Sequence, residues 1–179
     1  MALRKKFTDI EIPLFKEKVS VLGDKEIILN KSIKLDISKK LKGKATEIIF
    51  FVRENNEGNF IAFPRKIIVL RNYIVKFLRN RTSYVEDSFD VQCKDVLSKV
   101  KFILITRRKV SRSLRKALRD KVKEIIIESF AEKKFVEICD LLIKEDIQKD
   151  IAHKIKKIYP PLFFEIRHFE TKEKDKISY

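Results

Sequence analysis

The sequence predicts an α+β fold: a strand-rich first part holding one short helix, then three helices and a final strand. Three observations predict it. Apolar residues recur with a period of two up to about residue 110, and with a period of 3.6 from Ser111 onward. Only three glycines and four prolines punctuate 179 residues, and neither a Ser/Gly/Pro-rich linker nor a repeat divides them. The chain therefore reads as one compact unit over residues 1–170, followed by a polar tail at 171–179.

Taken in order, Ile33, Leu35 and Ile37 alternate with Lys34 and Asp36, the signature of a strand with one buried face. Ile48 to Val52 is β-branched and aromatic, the run Asn55-Asn-Glu-Gly58 is a turn, and Phe60 to Phe63 resumes the extended pattern, which predicts a hairpin. Leu70, Tyr73, Ile74, Phe77 and Leu78 then fall at helical spacing. Phe89, Val91 and Cys93 alternate with polar neighbours, and Val96 to Thr106 supplies a strand to pair with them. Three apolar stripes follow: Leu114 to Ile126, then Phe135, Ile138, Cys139 and Leu142, then Ile147, Ile151, Ile155 and Ile158. Acidic residues open the last helix and lysines close it, as the helix dipole favours, and Tyr159-Pro160-Pro161 ends it. Leu162 to Phe169 is extended.

Length alone permits a real core, since a chain of this size buries roughly two-thirds of its unfolded surface. The charge is lopsided, with 42 basic residues against 26 acidic and a net charge of +16. Such a field repels itself unless a polyanion neutralises it, which points to nucleic acid as the partner. The longest apolar runs are far shorter than the ~20 residues that span a bilayer, so no membrane partner is expected. The start Met-Ala-Leu-Arg-Lys-Lys-Phe has no apolar signal core, and two isolated cysteines fit a reduced compartment, so the expected location is the cytoplasm.

The charge concentrates in TRRKVSRSLRKALRDK, residues 106–121, where half the residues are Arg or Lys. With Arg112 at zero and ~100° per residue, Arg115, Lys116, Arg119 and Lys123 fall within roughly 60° of it. The apolar stripe lies on another side. Like charges at this spacing repel by about 0.2–0.5 kcal/mol per pair, and a solvated helix would intersperse Glu. Arg107, Arg108 and Lys109 add a basic corner between strand and helix. Arginine suits phosphate because its planar guanidinium donates two parallel hydrogen bonds. A second concentration is Arg71, Lys76, Arg79 and Arg81, with Thr82, Ser83 and Tyr84 as further donors; a third is Arg4, Lys5 and Lys6.

Nothing predicts catalysis. Three scattered glycines exclude a Gly-rich phosphate loop, and His153 and His168 lack neighbouring His or Cys, so neither a zinc site nor a nucleophilic triad is expected. His153 falls beside the last apolar stripe and Cys139 within the second. Glu86, Asp87 and Asp90 are the one acidic cluster, and strand alternation should split Asp87 from Asp90 across two faces. No cofactor, metal or small-molecule substrate is expected.

The segments Lys5-Lys-Phe-Thr-Asp-Ile-Glu-Ile-Pro13-Leu-Phe15, Arg71-Asn-Tyr-Ile74 leading to Arg79-Asn-Arg-Thr-Ser83, Phe89-Asp-Val-Gln-Cys-Lys-Asp95, Arg119-Asp-Lys-Val-Lys-Glu124, and Lys149-Asp-Ile151 through Ile158-Tyr-Pro160 to Ile166-Arg167 occur in this order. Together they resemble the eukaryotic-type small-subunit ribosomal protein S-one family ("S three A e"), in its archaeal form, over residues 4 to 169. The resemblance implies a non-catalytic constituent of the small ribosomal subunit, with a β-barrel-like portion and packed helices. It implies small-subunit ribosomal RNA and neighbouring ribosomal proteins as partners. By motif match it implies RNA contact at Lys5, Lys6, Arg71, Arg79, Arg81, Arg107, Arg108, Arg119 and Arg167, to which the charge pattern adds Lys109, Arg112, Arg115 and Lys116. Phe7 stands where Trp is common in the family, and the link from Thr106 to the next helix is compressed. A free-standing regulatory nucleic-acid-binding protein is the alternative that the residues leave open.

Overall fold

A computed structural model describes residues 7–23, 28–29, 31–54 and 58–173. Strands β1 (Phe7–Ile12), β2 (Glu17–Leu22), β3 (Ser32–Asp36), β4 (Thr46–Glu54) and β5 (Phe60–Val69) lead to helix α1 (Arg71–Val75). Strands β6 (Tyr84–Gln92) and β7 (Leu97–Thr106) follow, then helices α2 (Arg112–Ala131), α3 (Phe135–Lys144) and α4 (Asp146–Ile155), and strand β8 (Pro161–Thr171). The α+β class and the order of elements are as the two periodicities predict. The β1–β2 hairpin goes beyond those expectations, because its alternation is short, with only Ile10 and Ile12 on one strand and Val19 and Val21 on the other.

The eight strands form one sheet in the order β2-β1-β5-β8-β7-β6, with β4 also on β5 and β3 on β4. Strand β5 is a fork. One edge pairs antiparallel with β4 along its whole length, so β1, parallel at Phe60 and Ile61, and β8, antiparallel at Lys66 to Ile68, share the other. The change occurs where Pro64, which has no N–H to donate, and the extra residue Arg65 form a bulge against β4. This fork corrects the barrel-like expectation. Among the described residues the sheet divides into two wings and stays open, with β6 unpaired on its outer edge.

Helices α2 to α4 cover one face. From α2, Leu118, Val122, Ile126 and Phe130 are buried against Val85, Phe89 and Phe102, and the Phe130 and Phe135 rings flank Phe169. Each such side chain contributes about 1.5–3 kcal/mol by leaving water. Ser111 caps α2 by accepting the Leu114 N–H (3.3 Å), and Asp95, in the β6–β7 turn, caps α3 by accepting the Phe135 N–H (3.0 Å). Glu145 turns α3 into α4 with a left-handed φ of 64°. The other face carries a smaller core: Ile74 of α1 packs on Val69, Ile103 and Ile105, and the Phe77 ring stacks on Phe163 at 4.2 Å.

Two expectations fail at the end of α4. The helix stops at Ile155, so Ile158 is exposed and Tyr159 packs at the core edge instead. His153, expected beside the apolar stripe, points to solvent. Cys139 is core as predicted, and Cys93 is buried too.

A buried polar cluster ties the halves together. The Lys44 ammonium lies 2.7 Å from Glu165 and 3.2 Å from Glu145, while the Gln148 amide donates to Glu165 (2.9 Å) and to the Leu142 carbonyl (3.0 Å). Burial raises the Glu165 carboxyl above the usual range, with Lys44 pulling it back.

Candidate nucleic-acid interface

The candidate interface lies at one end of the β6–β7 hairpin. Tyr84 pairs with Ile105, so the segment entering β6 and the segment leaving β7 lie side by side. Buried Thr106 fixes that junction: its hydroxyl donates to the Arg108 carbonyl (2.7 Å) and accepts the Ser83 N–H (3.0 Å), and the Ser83 hydroxyl accepts the Val110 N–H (3.1 Å). The consequence is that Arg79 and Arg81 before β6, and Arg107, Arg108 and Lys109 after β7, are exposed at one end of the molecule. Of Thr82, Ser83 and Tyr84, predicted as further donors, two donate within the protein, the Thr82 hydroxyl to the Arg79 carbonyl and the Tyr84 hydroxyl to Glu86.

Helix α2 starts at this corner. Its apolar stripe fixes its rotation, and Arg112, Lys116 and Arg119 are exposed as the helical spacing predicts. With Tyr84 and Ser113 they line a concavity of about 540 Å³, which Arg115 also enters. Arg115 is half-buried, and its Nε finds no acceptor among the described residues. A buried donor without an acceptor forfeits roughly 1–3 kcal/mol, which an incoming oxyanion would recover. Lys123 leaves the row: its ammonium sits 5.5 Å from the centre of the Phe89 ring.

Arg167 reaches the same region through a bulge. On β8, Ile166 pairs with Phe102 and His168 with Lys101, so Arg167 is an extra residue between them. The bulge changes the phase of the strand: Phe164 and Ile166 enter the main core before it and Phe169 after it. Freed from the ladder, Arg167 joins Arg71 at a second concavity, about 420 Å³, lined also by Val75, Leu78, Tyr84 and Glu86. Tyr84 is common to both hollows. Burial, then the hydrogen bond to Glu86, pushes its phenol up to about 12, so it stays a neutral donor.

What marks this region is the density of cations without counter-charges. Elsewhere several lysines are paired, Lys18 with Glu11 (2.7 Å), Lys34 with Glu47 (2.8 Å), Lys144 with Asp140 (2.6 Å) and Lys172 with Asp90 (2.7 Å), while others such as Lys94, Lys99, Lys154 and Lys157 are scattered without an ion pair among the described residues. Here Arg71, Arg79, Arg81, Arg107, Arg108, Lys109, Arg112, Arg115, Lys116, Arg119 and Arg167 form no ion pair among the described residues. Lys5 and Lys6 lie outside the described residues. The arrangement can hold phosphates along a curved track.

The acidic cluster divides as alternation predicts. Glu86 and Asp90 are exposed, Asp87 lies on the opposite face, and Lys172 holds the Asp90 carboxyl below its usual range by a hydrogen bond. Among the described residues no group of three or more His, Cys, Asp or Glu side chains is placed to hold a metal ion. No described helix is long and apolar enough to cross a membrane. Sequence reasoning missed the position of Tyr84 between the two hollows, since no periodicity announces where a strand edge meets a helix.

The model of the Ribosomal S3Ae family matches residues 4–175. Among similar proteins are those named small ribosomal subunit protein eS1 from three archaea. That of Nanoarchaeum equitans is 32% identical over 111 residues, 62% of this chain and 56% of the relative. That of Archaeoglobus fulgidus is 32% identical over 101 residues, 56% of this chain and 48% of the relative. That of Methanobrevibacter smithii is 30% identical over 90 residues, 50% of this chain and 47% of the relative. The aligned region thus spans about half the length of these relatives. With a family match that runs through both wings of the sheet, all four helices and the basic end, the chain belongs to the Ribosomal S3Ae family.

Proposed function

We propose that the protein is a structural constituent of the small ribosomal subunit in the cytoplasm, acting as one unit over residues 1–170 and without catalysis. It holds small-subunit ribosomal RNA through the unpaired cations at the β6–β7 end and leaves other faces to neighbouring ribosomal proteins. The observation that carries this reading is the segregation of unpaired charge: eleven Arg and Lys side chains gather at this end, and none has a carboxylate partner among the described residues. Free in solution, that segregation costs stability through repulsion. Against an RNA backbone it is complementary, each phosphate contact releasing condensed counterions. Lys5 and Lys6 extend the contact, as the family motif implies.

The test is the salt dependence of binding to a small-subunit RNA fragment. Replacing Arg112, Lys116 and Arg119 by Gln should lower affinity at least tenfold and reduce the slope of log K against log salt by about 2–3, near 0.7–0.9 per lost phosphate contact. Replacing the paired Lys18, Lys34 and Lys144 by Gln should leave the slope unchanged. Equal slopes in both triple variants would refute the assignment. Co-sedimentation with small subunits at moderate salt separates this reading from a free-standing regulator, which would stay at the top of the gradient.

A further inference from the structure

The two hollows at the basic end differ in chemistry. The one against α2 is a row of cations, suited to phosphates. The one beneath α1 is floored by Ile74, Val75, Leu78 and Ile103, with Arg71 and Arg167 at its margin. Val75 and Leu78 are 49% and 42% exposed, apolar surface that neither core covers. An A-form duplex has no use for such a well, because its bases are stacked inside and only riboses and phosphates face outward.

The edge strand β6 explains how the hollows connect. Tyr84 and Glu86 pair with Ile105 and Ile103, which face the smaller core, so both side chains stand on the α1 side of the sheet. Tyr84 is the first residue of the strand, and there its ring also borders the cations of α2. It therefore forms the wall where the polar track passes round the sheet edge into the apolar well.

Resting on the proposed RNA contact, we infer that this well takes one unpaired nucleobase of the bound RNA, packed on Tyr84, Val75 and Leu78, while its flanking phosphates lie along Arg112 to Arg119. The chemistry fits a base better than an aliphatic side chain. Guanidinium planes stack on heteroaromatic rings, a tyrosine face does the same, and the Glu86 carboxylate retains lone pairs for an exocyclic amino group after accepting the Tyr84 hydroxyl. Charge continuity with the phosphate track favours RNA over a peptide as the occupant.

The test uses the full chain and two RNA hairpins identical except for a single bulged 2-aminopurine. Stacking on an aromatic side chain predicts that the bulged RNA binds about fivefold to 150-fold more tightly than the paired one, with a change in 2-aminopurine fluorescence on binding. Tyr84→Ser should abolish the preference and the fluorescence change; Tyr84→Phe should keep both. Leu78→Glu, at an exposed position, provides a second variant that should lose the preference. Equal affinity of the unaltered protein for the two hairpins, or a preference that survives Tyr84→Ser, overturns the inference, leaves the phosphate track standing and hands the well to a peptide of a neighbouring protein. Failure to bind either hairpin overturns both readings.

Discussion

Replacing Lys44 by Met tests how the two halves are joined. The Lys44 and Glu165 side chains are only 5% and 6% exposed, 2.7 Å apart, and connect the segment before β4 to β8. A methionine fills much of the same volume, so the loss is electrostatic. It leaves the Glu165 carboxylate buried with only the Gln148 amide and its neighbour's N–H at Ile166 as donors. Removing one partner of a buried pair costs about 3–5 kcal/mol, because the remaining charge has no compensation. For a chain of this length that is a fall of about 6–20 °C in melting temperature. The pH dependence gives a second signature. The native Glu165 carboxyl is already raised by burial, so its share of stability is full below the ordinary carboxylate range and is lost as pH rises through the raised native value. Without Lys44 that native value rises further, so the penalty should be largest near pH 7 and shrink towards pH 4.5. Urea denaturation of both proteins at the two pH values measures it, and Lys44→Met with Glu165→Gln should recover most of the loss. A cost below about 1 kcal/mol at pH 7, or one that does not change with pH, would refute the view that this pair is compensated rather than incidental.

Two further outcomes follow from local geometry. Burial first, then Lys66, pushes the His168 imidazole down to about 4, and its Nδ1 is buried without a partner among the described residues. Since the unfolded chain takes up this proton near 6.5, the contribution of His168 is present above that pH and lost as pH falls towards 4. About 1–3 kcal/mol should go over this window, and His168→Gln should flatten that part of the stability profile in chemical denaturation. Ser111→Ala removes the acceptor for the Leu114 N–H and should cost about 0.5–2 kcal/mol, while Ser111→Asp should restore it; native-state hydrogen exchange at the first turn of α2 reports both.

The sequence displays whatever rests on a single period. Helix α2 could be placed and rotated from Leu118, Val122 and Ile126 alone, because a 3.6 repeat determines both the buried face and, by exclusion, the cationic one. The two hairpins could be placed because alternation flanks a turn. What stayed hidden depends on two segments at once. Arg167 owes its position to a bulge, and a bulge is a difference in residue count between paired strands, invisible in either strand alone. The fork at β5 and the Lys44–Glu165 contact are likewise properties of pairing across more than a hundred residues. Family resemblance singled out Arg71 and Arg167 as expected RNA contacts, but not that they share one well with Tyr84.

The same physics explains how the fold tolerates so many unpaired cations at one end. A row of like charges on a helix weakens it by a few tenths of a kcal/mol per pair, and Arg112, Arg115, Lys116 and Arg119 supply several such pairs. A short surface helix could not tolerate that. Helix α2 can, because over 20 residues it also buries Leu118, Val122, Ile125, Ile126 and Phe130, each worth several times one repulsive pair. The loops at 79–83 and 106–110 have no such reserve, and there the strain is met by hydrogen bonds, with Thr106 and Ser83 joining the two loops so that the arginines need no partners to be held in place. The cations are thus positioned by groups that carry no charge. That leaves the guanidiniums at this end without an ion-pair partner among the described residues, and under the proposed function it means that removing these charges should change RNA binding far more than folding.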